Sequence, residues 1–354
     1  MQRDAIVVGA GIIGSCIAWR LAQRGLRVTL LDAGRMGGEA SWAGAGMLAP
    51  GGEIERRSAW SALMLDSLRL YPAFVRELQQ ETGLAVDYRQ SGAVEVALTA
   101  EEALELERRA ALQKAIGIPS RPIDPGQLPG LTQEAAAACL FPEDALVDPR
   151  DVMRALRAAC LSGGVQIREG VRTTRVEAGR ETVRVQTAAG VLSAAGAVLA
   201  AGAWSSEIDV LTGLGPARLP RAFPVRGHLV GYDLLAGSLA PILRHGHTYL
   251  LQRAGGFTVA GTTSEQVGFD RNLDPAATAG IHSRAARLLP RLASLTPSDA
   301  WLGFRPGIER DEPAIGRVED SAVWLAYGHY RNGILLAPAT AERISAGMTS
   351  SGTA

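Results

Sequence analysis

The chain opens on apolar residues whose spacing changes twice before position 33. Ala5-Ile6-Val7-Val8 is a continuous apolar run, Gly9 to Gly14 interrupts it, Ile17 and Leu21 recur at helical spacing, and a second run from Val28 to Leu31 ends on Asp32. Short continuous apolar runs mark strands buried on both faces, whereas apolar residues four apart mark one face of a helix. The pattern predicts strand, turn, helix and strand, in that order.

Further along, the periods alternate in blocks. Ser58 to Gly83 carries Leu63, Leu65, Leu68, Phe74 and Leu78 at helix-like intervals. Val86 to Leu98 alternates about Ser91-Gly92 and predicts a hairpin, and Ala100 to Ile116 reads as a charged surface helix. Asp148-Pro149-Arg150-Asp151 is a strong helix start, because an acidic cap precedes a proline at the first helical position, and that helix should run to about Ser162. Strands are expected at Val165 to Arg168, Thr182 to Thr187 and Ala197 to Ala200, the last leading into Ala201-Gly202-Ala203-Trp204-Ser205. From Pro216 to about Leu302 strand signals dominate, at Gly227 to Tyr232, Thr248 to Gln252 and Phe257 to Ala260, with turns such as Gly255-Gly256. Ala322 to Tyr327 predicts a late strand, followed by a last short helix and a Ser/Thr/Gly tail after Met348 that should fray. Gly37 to Leu48 has neither period, and its small residues suit backbone lying flat against a planar ligand.

Length and charge narrow the classes. A chain of 354 residues, 47% of them hydrophobic, supports two domains or one with a large insertion. Thirty-six basic and thirty-six acidic residues cancel, which removes the electrostatic case for nucleic acid or an anionic membrane surface. Cys16, Cys139 and Cys160 are widely spaced, without the pairing of a zinc site or a disulfide framework, so a cytoplasmic setting and no metal are expected. The apolar run from Ala5 to Trp19 is glycine-interrupted and too short to span a bilayer, so neither a signal peptide nor a membrane anchor is expected.

The opening block has specific chemistry. Gly9 permits a tight turn, Gly11 lets backbone approach a pyrophosphate, and Gly14 lets the helix pack close to the sheet. The helix N-terminus presents unpaired N–H groups and partial positive charge to phosphates. Asp32, eighteen positions after Gly14, stands where a carboxylate accepts from a ribose diol. This is a dinucleotide-binding fingerprint in its proper strand and helix context, and the strand ending at Ala200 returns backbone to the same mouth.

Five segments in order carry a resemblance: the fingerprint, Gly44-Ala45-Gly46-Met47, Ala201 to Ser205, Gly303-Phe304-Arg305-Pro306, and Gly328 to Ile334. From Ala5 to about Thr340 the chain resembles the FAD-dependent amino acid oxidases of the D-amino acid oxidase and sarcosine oxidase group, and its ending GHYRNGILLAPAT is most similar to the glycine oxidase branch, which serves thiamine thiazole formation. The resemblance implies an α/β fold. A Rossmann-like FAD-binding domain would comprise residues 1–84, 140–215 and 303–354, and a substrate domain on a mixed, largely antiparallel sheet would comprise 85–139 and 216–302.

It also implies roles. Gly9, Gly11, Ile12, Ile13, Gly14 and Asp32 would hold the ADP half of a noncovalent FAD, no cysteine lying near Arg305 or in the C-terminal segment. Ser41 and Gly44, Ala45, Gly46 and Met47 would line the pyrophosphate and ring system, with Thr173 and Gly202 on the adenine side. Asn332, Gly333, Ile334 and Leu335 would turn a helix start toward the flavin's pyrimidine edge, where reduction builds negative charge. Arg305 would clamp a substrate carboxylate by a bidentate, charge-assisted pair. Arg331 and Tyr249 would assist and His247 would form wall, while His228 and His329 are left as structural. Asp32 replaces the group's more frequent glutamate, and Trp42 is bulkier than usual beside the flavin loop, which leaves pocket size open.

The implied reaction is oxidation of glycine, sarcosine or a small D-amino acid by hydride transfer to flavin N5, with O2 returning H2O2. A homo-oligomer, tetrameric in many relatives, and hand-off of the imine to a thiazole synthase are further implications. Three readings compete: a flavin dehydrogenase feeding a quinone or carrier, an NAD-dependent reductase, and a catalytically silent flavoprotein scaffold. Peroxide release under air, a yellow colour, and substrate-dependent bleaching separate them.

Overall fold

The computed structural model describes residues 3–54 and 56–350. Five parallel strands form its centre, in the spatial order Val323–Tyr327, Gly190–Leu199, Arg3–Val8, Val28–Leu31 and Gln166–Arg168. The period-two geometry of the first strand decides what lies on each face. Ala5 and Val7 point to a layer of helices, Ile12–Gln23, Pro149–Ser162, Ala59–Thr82 and Gly333–Ser350. Ile6 and Val8 point the other way, to Val176, Val183, Val185 and Tyr327. Gly190–Leu199 forks: its first half pairs antiparallel with Val183–Thr187, and its second half runs parallel to Arg3–Val8. This is an α/β, Rossmann-like arrangement with an added β layer.

A second, eight-stranded sheet is antiparallel except where Ile242–His245 runs beside Ala93–Ala97. Ala222–Asp233 and Asp299–Ile308 pair along ten residues each at its edge. The helix Pro275–Leu288 covers one face through Ile281, Ala285 and Leu288. A small three-stranded sheet joins Met47–Leu48, Ala145–Val147 and Tyr88–Arg89. Among the described residues no helix is long and apolar enough to cross a membrane.

The structure corrects several expectations. The hairpin about Ser91-Gly92 does not form. Tyr88–Arg89 pairs with Ala145–Val147, and Ala93–Ala97 pairs with Ala137–Phe141, because both flanks alternate apolar residues toward different partners. Gly37 to Leu48 contains a helical turn, Ala40–Ala43, and the short strand Met47–Leu48. The closing helix is long, and it continues through Met348 to Ser350, so fraying does not begin there; residues 351–354 lie outside the described ones.

Candidate active site

The first strand ends in a turn that excludes side chains. Gly9 has φ +102°, and a Cβ there would lie 2.3 Å from Ala200 O; a Cβ on Gly14 would lie 1.9 Å from Gly9 O. The following helix begins at Gly11 without a cap of its own. Ser41 supplies one from a distance, its Oγ accepting Ile12 N–H at 2.9 Å. The next first-turn donor, at Ile13, has no intrahelical acceptor, and Ile13 lies on a cavity wall. Asp32 reaches the same wall while its two oxygens accept from Ala10 N–H (2.8 Å) and Gly34 N–H (2.7 Å). Burial raises its pKa, and the two backbone donors pull it back. A carboxylate offers about four acceptor positions, so capacity remains for a diol.

The cavity has a volume of about 1080 Å³ and runs from Asp32 past Gly44 to Met47 to the second sheet. That size stands at the top of the roughly 300–1,000 Å³ usual for small-molecule sites. Of the expected cofactor residues, Gly9, Gly11, Ile12, Ile13, Asp32, Ser41, Gly44, Ala45, Gly46, Met47, Thr173, Gly202, Asn332, Gly333 and Ile334 all line it. The Thr173 hydroxyl is buried there with no hydrogen-bond partner, and a Cβ on Gly44 would meet Ile334 Cδ1 at 2.6 Å. A helix N-terminus, a diol-accepting carboxylate, an orphaned hydroxyl and a small-residue floor together fit a dinucleotide. Two residues do not line the cavity. Gly14 acts only through close packing, and Leu335 is set into the hydrophobic core, where its carbonyl accepts from Ser67 Oγ at 2.6 Å.

At the far end, Arg305 comes from the edge strand Asp299–Ile308. Its Nη1 donates to Thr263 O (2.9 Å) and its Nη2 to Thr262 Oγ1 (2.7 Å). Each terminal nitrogen thereby keeps one N–H, and the group has no acidic partner within 4 Å among the described residues. Room for it comes from Gly227 on the neighbouring strand, where a Cβ would lie 2.3 Å from Nη1. Likewise Gly261 makes room for Tyr249, whose hydroxyl would be 2.4 Å from a Cβ. Burial pushes the Tyr249 phenol up to about 12, with the Arg305 charge acting the other way. Sequence reading missed Gly227, Gly261, Thr262 and Thr263, although glycines inside apolar strands signal a close approach.

The other expected residues diverge. Arg331 lines the cavity but is half exposed, and its Nε already faces Glu53 Oε1 at 3.1 Å. Glu53 also accepts from Asn332 Nδ2 at 2.8 Å, so the same carboxylate holds both. His247 lies on the wall in an exposed turn between two strands. His329 is buried against Thr340 Oγ1 (3.1 Å), and desolvation lowers its pKa to about 3. Trp42 does not narrow the pocket. Its ring, 41% exposed, lies outside the cavity, with the Arg150 guanidinium 3.9 Å above it and Trp301 edge-on at 6.5 Å.

Residues 4–346 match the family described as FAD dependent oxidoreductase. The chain is similar to the glycine oxidase of Geobacillus kaustophilus, 32% identical over 348 residues covering 95% of this chain and 90% of that protein. The glycine oxidase of Pseudomonas aeruginosa is 34% identical over 98% of this chain and 94% of its own. A Synechocystis protein named "Bifunctional protein ThiO/ThiG" is 36% identical, and this chain spans 51% of it. The crystal structure of the Geobacillus kaustophilus glycine oxidase superposes with a TM-score of 0.92, at 30% identity over 99% of this chain and 95% of that one.

Proposed function

The chain belongs to the FAD dependent oxidoreductase family, and on that footing we propose that it oxidises glycine and other small amino acids such as sarcosine and small D-amino acids. O2 is the final acceptor, and with glycine the products are H2O2, ammonia and glyoxylate, the last two formed by hydrolysis of the imine. The observation that carries this reading is the uncompensated Arg305 guanidinium on the cavity wall, held from behind by Thr262 and Thr263. A half-buried cation without an acidic partner favours a small anion in that geometry, and an amino acid carboxylate matches a planar fork.

When bound, FAD supplies the two-electron acceptor. The start of the helix Ile12–Gln23, Asp32, Thr173 and Gly44 to Met47 would hold it, and the chain's other groups orient the substrate. Arg305 fixes the carboxylate, and the Tyr249 hydroxyl, uncharged at neutral pH, adds a hydrogen bond rather than a competing charge. Arg331 contributes from the mouth while shared with Glu53. Positioning of this kind lowers the barrier without a strong protein base.

We assign residues 1–84, 140–215 and 303–354 to FAD and the remainder to substrate, except that the strand Asp299–Ile308, which carries Arg305, pairs into the second sheet and serves the substrate side. A cytoplasmic location is supported by three buried, free cysteines. Hand-off of the product to a thiazole synthase is supported by the bifunctional relative, of which this chain spans about half.

The test is a peroxide-coupled assay of the purified protein with glycine, sarcosine, D-alanine and D-proline under air, paired with anaerobic flavin reduction. Peroxide with glycine supports the reading. Flavin bleaching with turnover on a quinone but without peroxide replaces it with a dehydrogenase, and no bleaching by any of the four sinks it.

A further inference from the structure

We infer that His228 and Glu265 are positioning residues for carboxylate recognition, acting through Thr263 to fix the turn on which the Arg305 fork rests. The inference rests on the reading of Arg305 as the carboxylate clamp.

The contacts in this arrangement fix the tautomer of the ring. His228 lies on the strand Ala222–Asp233 and is fully buried. Its Nε2 accepts Asp274 N–H at 3.1 Å, so that nitrogen bears no proton and the ring proton lies on Nδ1. Nδ1 faces Glu265 Oε1 at 3.1 Å and Thr263 Oγ1 at 3.0 Å. Thr263 Oγ1 accepts the His228 backbone N–H at 3.0 Å. Glu265 is held in turn by Arg226, whose Nε and Nη2 lie 2.9 and 2.5 Å from Oε2 and whose Nη1 takes Asp270 at 2.6 Å. The Arg226 and Glu265 backbones exchange two hydrogen bonds.

This lattice meets the clamp at two atoms. Thr262 Oγ1 donates to His228 O at 2.9 Å and accepts from Arg305 Nη2; Thr263 O accepts from Nη1. Both acceptors of the fork thus belong to residues bonded to His228. An apolar side chain could fill the volume of His228, but only a group with one donor and one acceptor in these directions satisfies Asp274 N–H and Glu265 together. A buried polar network that is fully paired rigidifies its surroundings, and here those surroundings are the two oxygens that aim Arg305. A fork misplaced by about 1 Å loses on the order of a hundredfold in rate.

The test uses the flavin-loaded enzyme and reads glycine KM, kcat and the Kd of acetate, a carboxylate without an amine, from the perturbed flavin spectrum. Thr263→Val keeps the shape and removes the hydroxyl relay; KM and acetate Kd should each rise about tenfold, with kcat within about twofold, and Thr263→Ser should restore both. Unchanged KM and acetate Kd in Thr263→Val, with both lost in Arg305→Ala, overturn the positioning role alone. Both retained in Arg305→Ala overturn the clamp itself. Should Thr263→Val lose flavin content, Glu265→Gln, which keeps the shape and weakens the acceptor, takes its place under the same criteria.

Discussion

The hydroxyl of Ser41 accepts the backbone N–H of Ile12 at 2.9 Å across twenty-nine residues. The fingerprint helix is therefore capped by the loop that forms the cavity floor, and the two are set in register with each other. Removing a cap hydroxyl costs about 0.5–2 kcal/mol. Ser41→Ala should lower stability by about 1 kcal/mol and weaken FAD binding, read from urea midpoints and from the release of flavin fluorescence on dilution. Unaltered flavin affinity would show that the cap serves the helix alone.

Gly227→Ala places a methyl 2.3 Å from Arg305 Nη1. The clash is with the end of a long side chain, so the fold survives and the fork moves. We expect a loss of about a hundredfold in kcat/KM for glycine with an unchanged melting temperature.

Arg305 and Arg331 should differ sharply. Arg305→Ala removes an unpaired cation from the wall and should cost about 2–5 kcal/mol in kcat/KM. Arg331 is half exposed and already engaged by Glu53, so Arg331→Ala should cost about 1 kcal/mol or less. Steady-state kinetics of the two variants give the ordering directly, and equal losses would contradict it.

Trp42→Leu should leave the relative rates on glycine, sarcosine and D-proline unchanged, since the ring packs on Arg150 and Trp301 outside the cavity. The change should appear instead as about 0.5–1 kcal/mol of stability from the lost cation–ring contact. A shifted substrate ranking would return Trp42 to the pocket.

His329 makes stability depend on pH with a definite sign. Its folded pKa, about 3, is below the ordinary 6.5. Below pH 6.5 the unfolded chain takes up a proton that the folded chain refuses, so the stabilising contribution present above 6.5 is lost as pH falls toward 3. The slope is about 1.4 kcal/mol per pH unit. Urea midpoints at pH 5 and 7.5 should converge by about this amount per unit in His329→Gln relative to the parent.

Much of the nucleotide half was legible because its geometry is local. An apolar run, a glycine turn and a helix share thirty residues, and steric exclusion at Gly9 and Gly14 forces the arrangement. Arg305 was legible by its motif. Its supports were not, since Gly227 meets it through the pairing of 222–233 with 299–308, and Thr262 and Thr263 are brought in by the pairing of 257–261 with 222–233. The failed hairpin at Ser91-Gly92 has the same cause: alternation says which face is buried and nothing about which strand lies alongside. The effect of Trp42 on the pocket was not legible, because a neighbour in sequence to a ligand loop can point the opposite way, and Arg150, more than a hundred positions later, decides that it does.

The parallel strand Val323–Tyr327 and the helix after it complete a wall whose opposite side is made by residues 9 to 13. Domains emerge from the ribosome N-terminal end first, at about 5–20 residues per second. A growing polypeptide therefore exposes its glycine turn long before residue 334 arrives to close the compartment against Gly44. Loading of the yellow coenzyme should therefore await the distal segment rather than the motif that announces it.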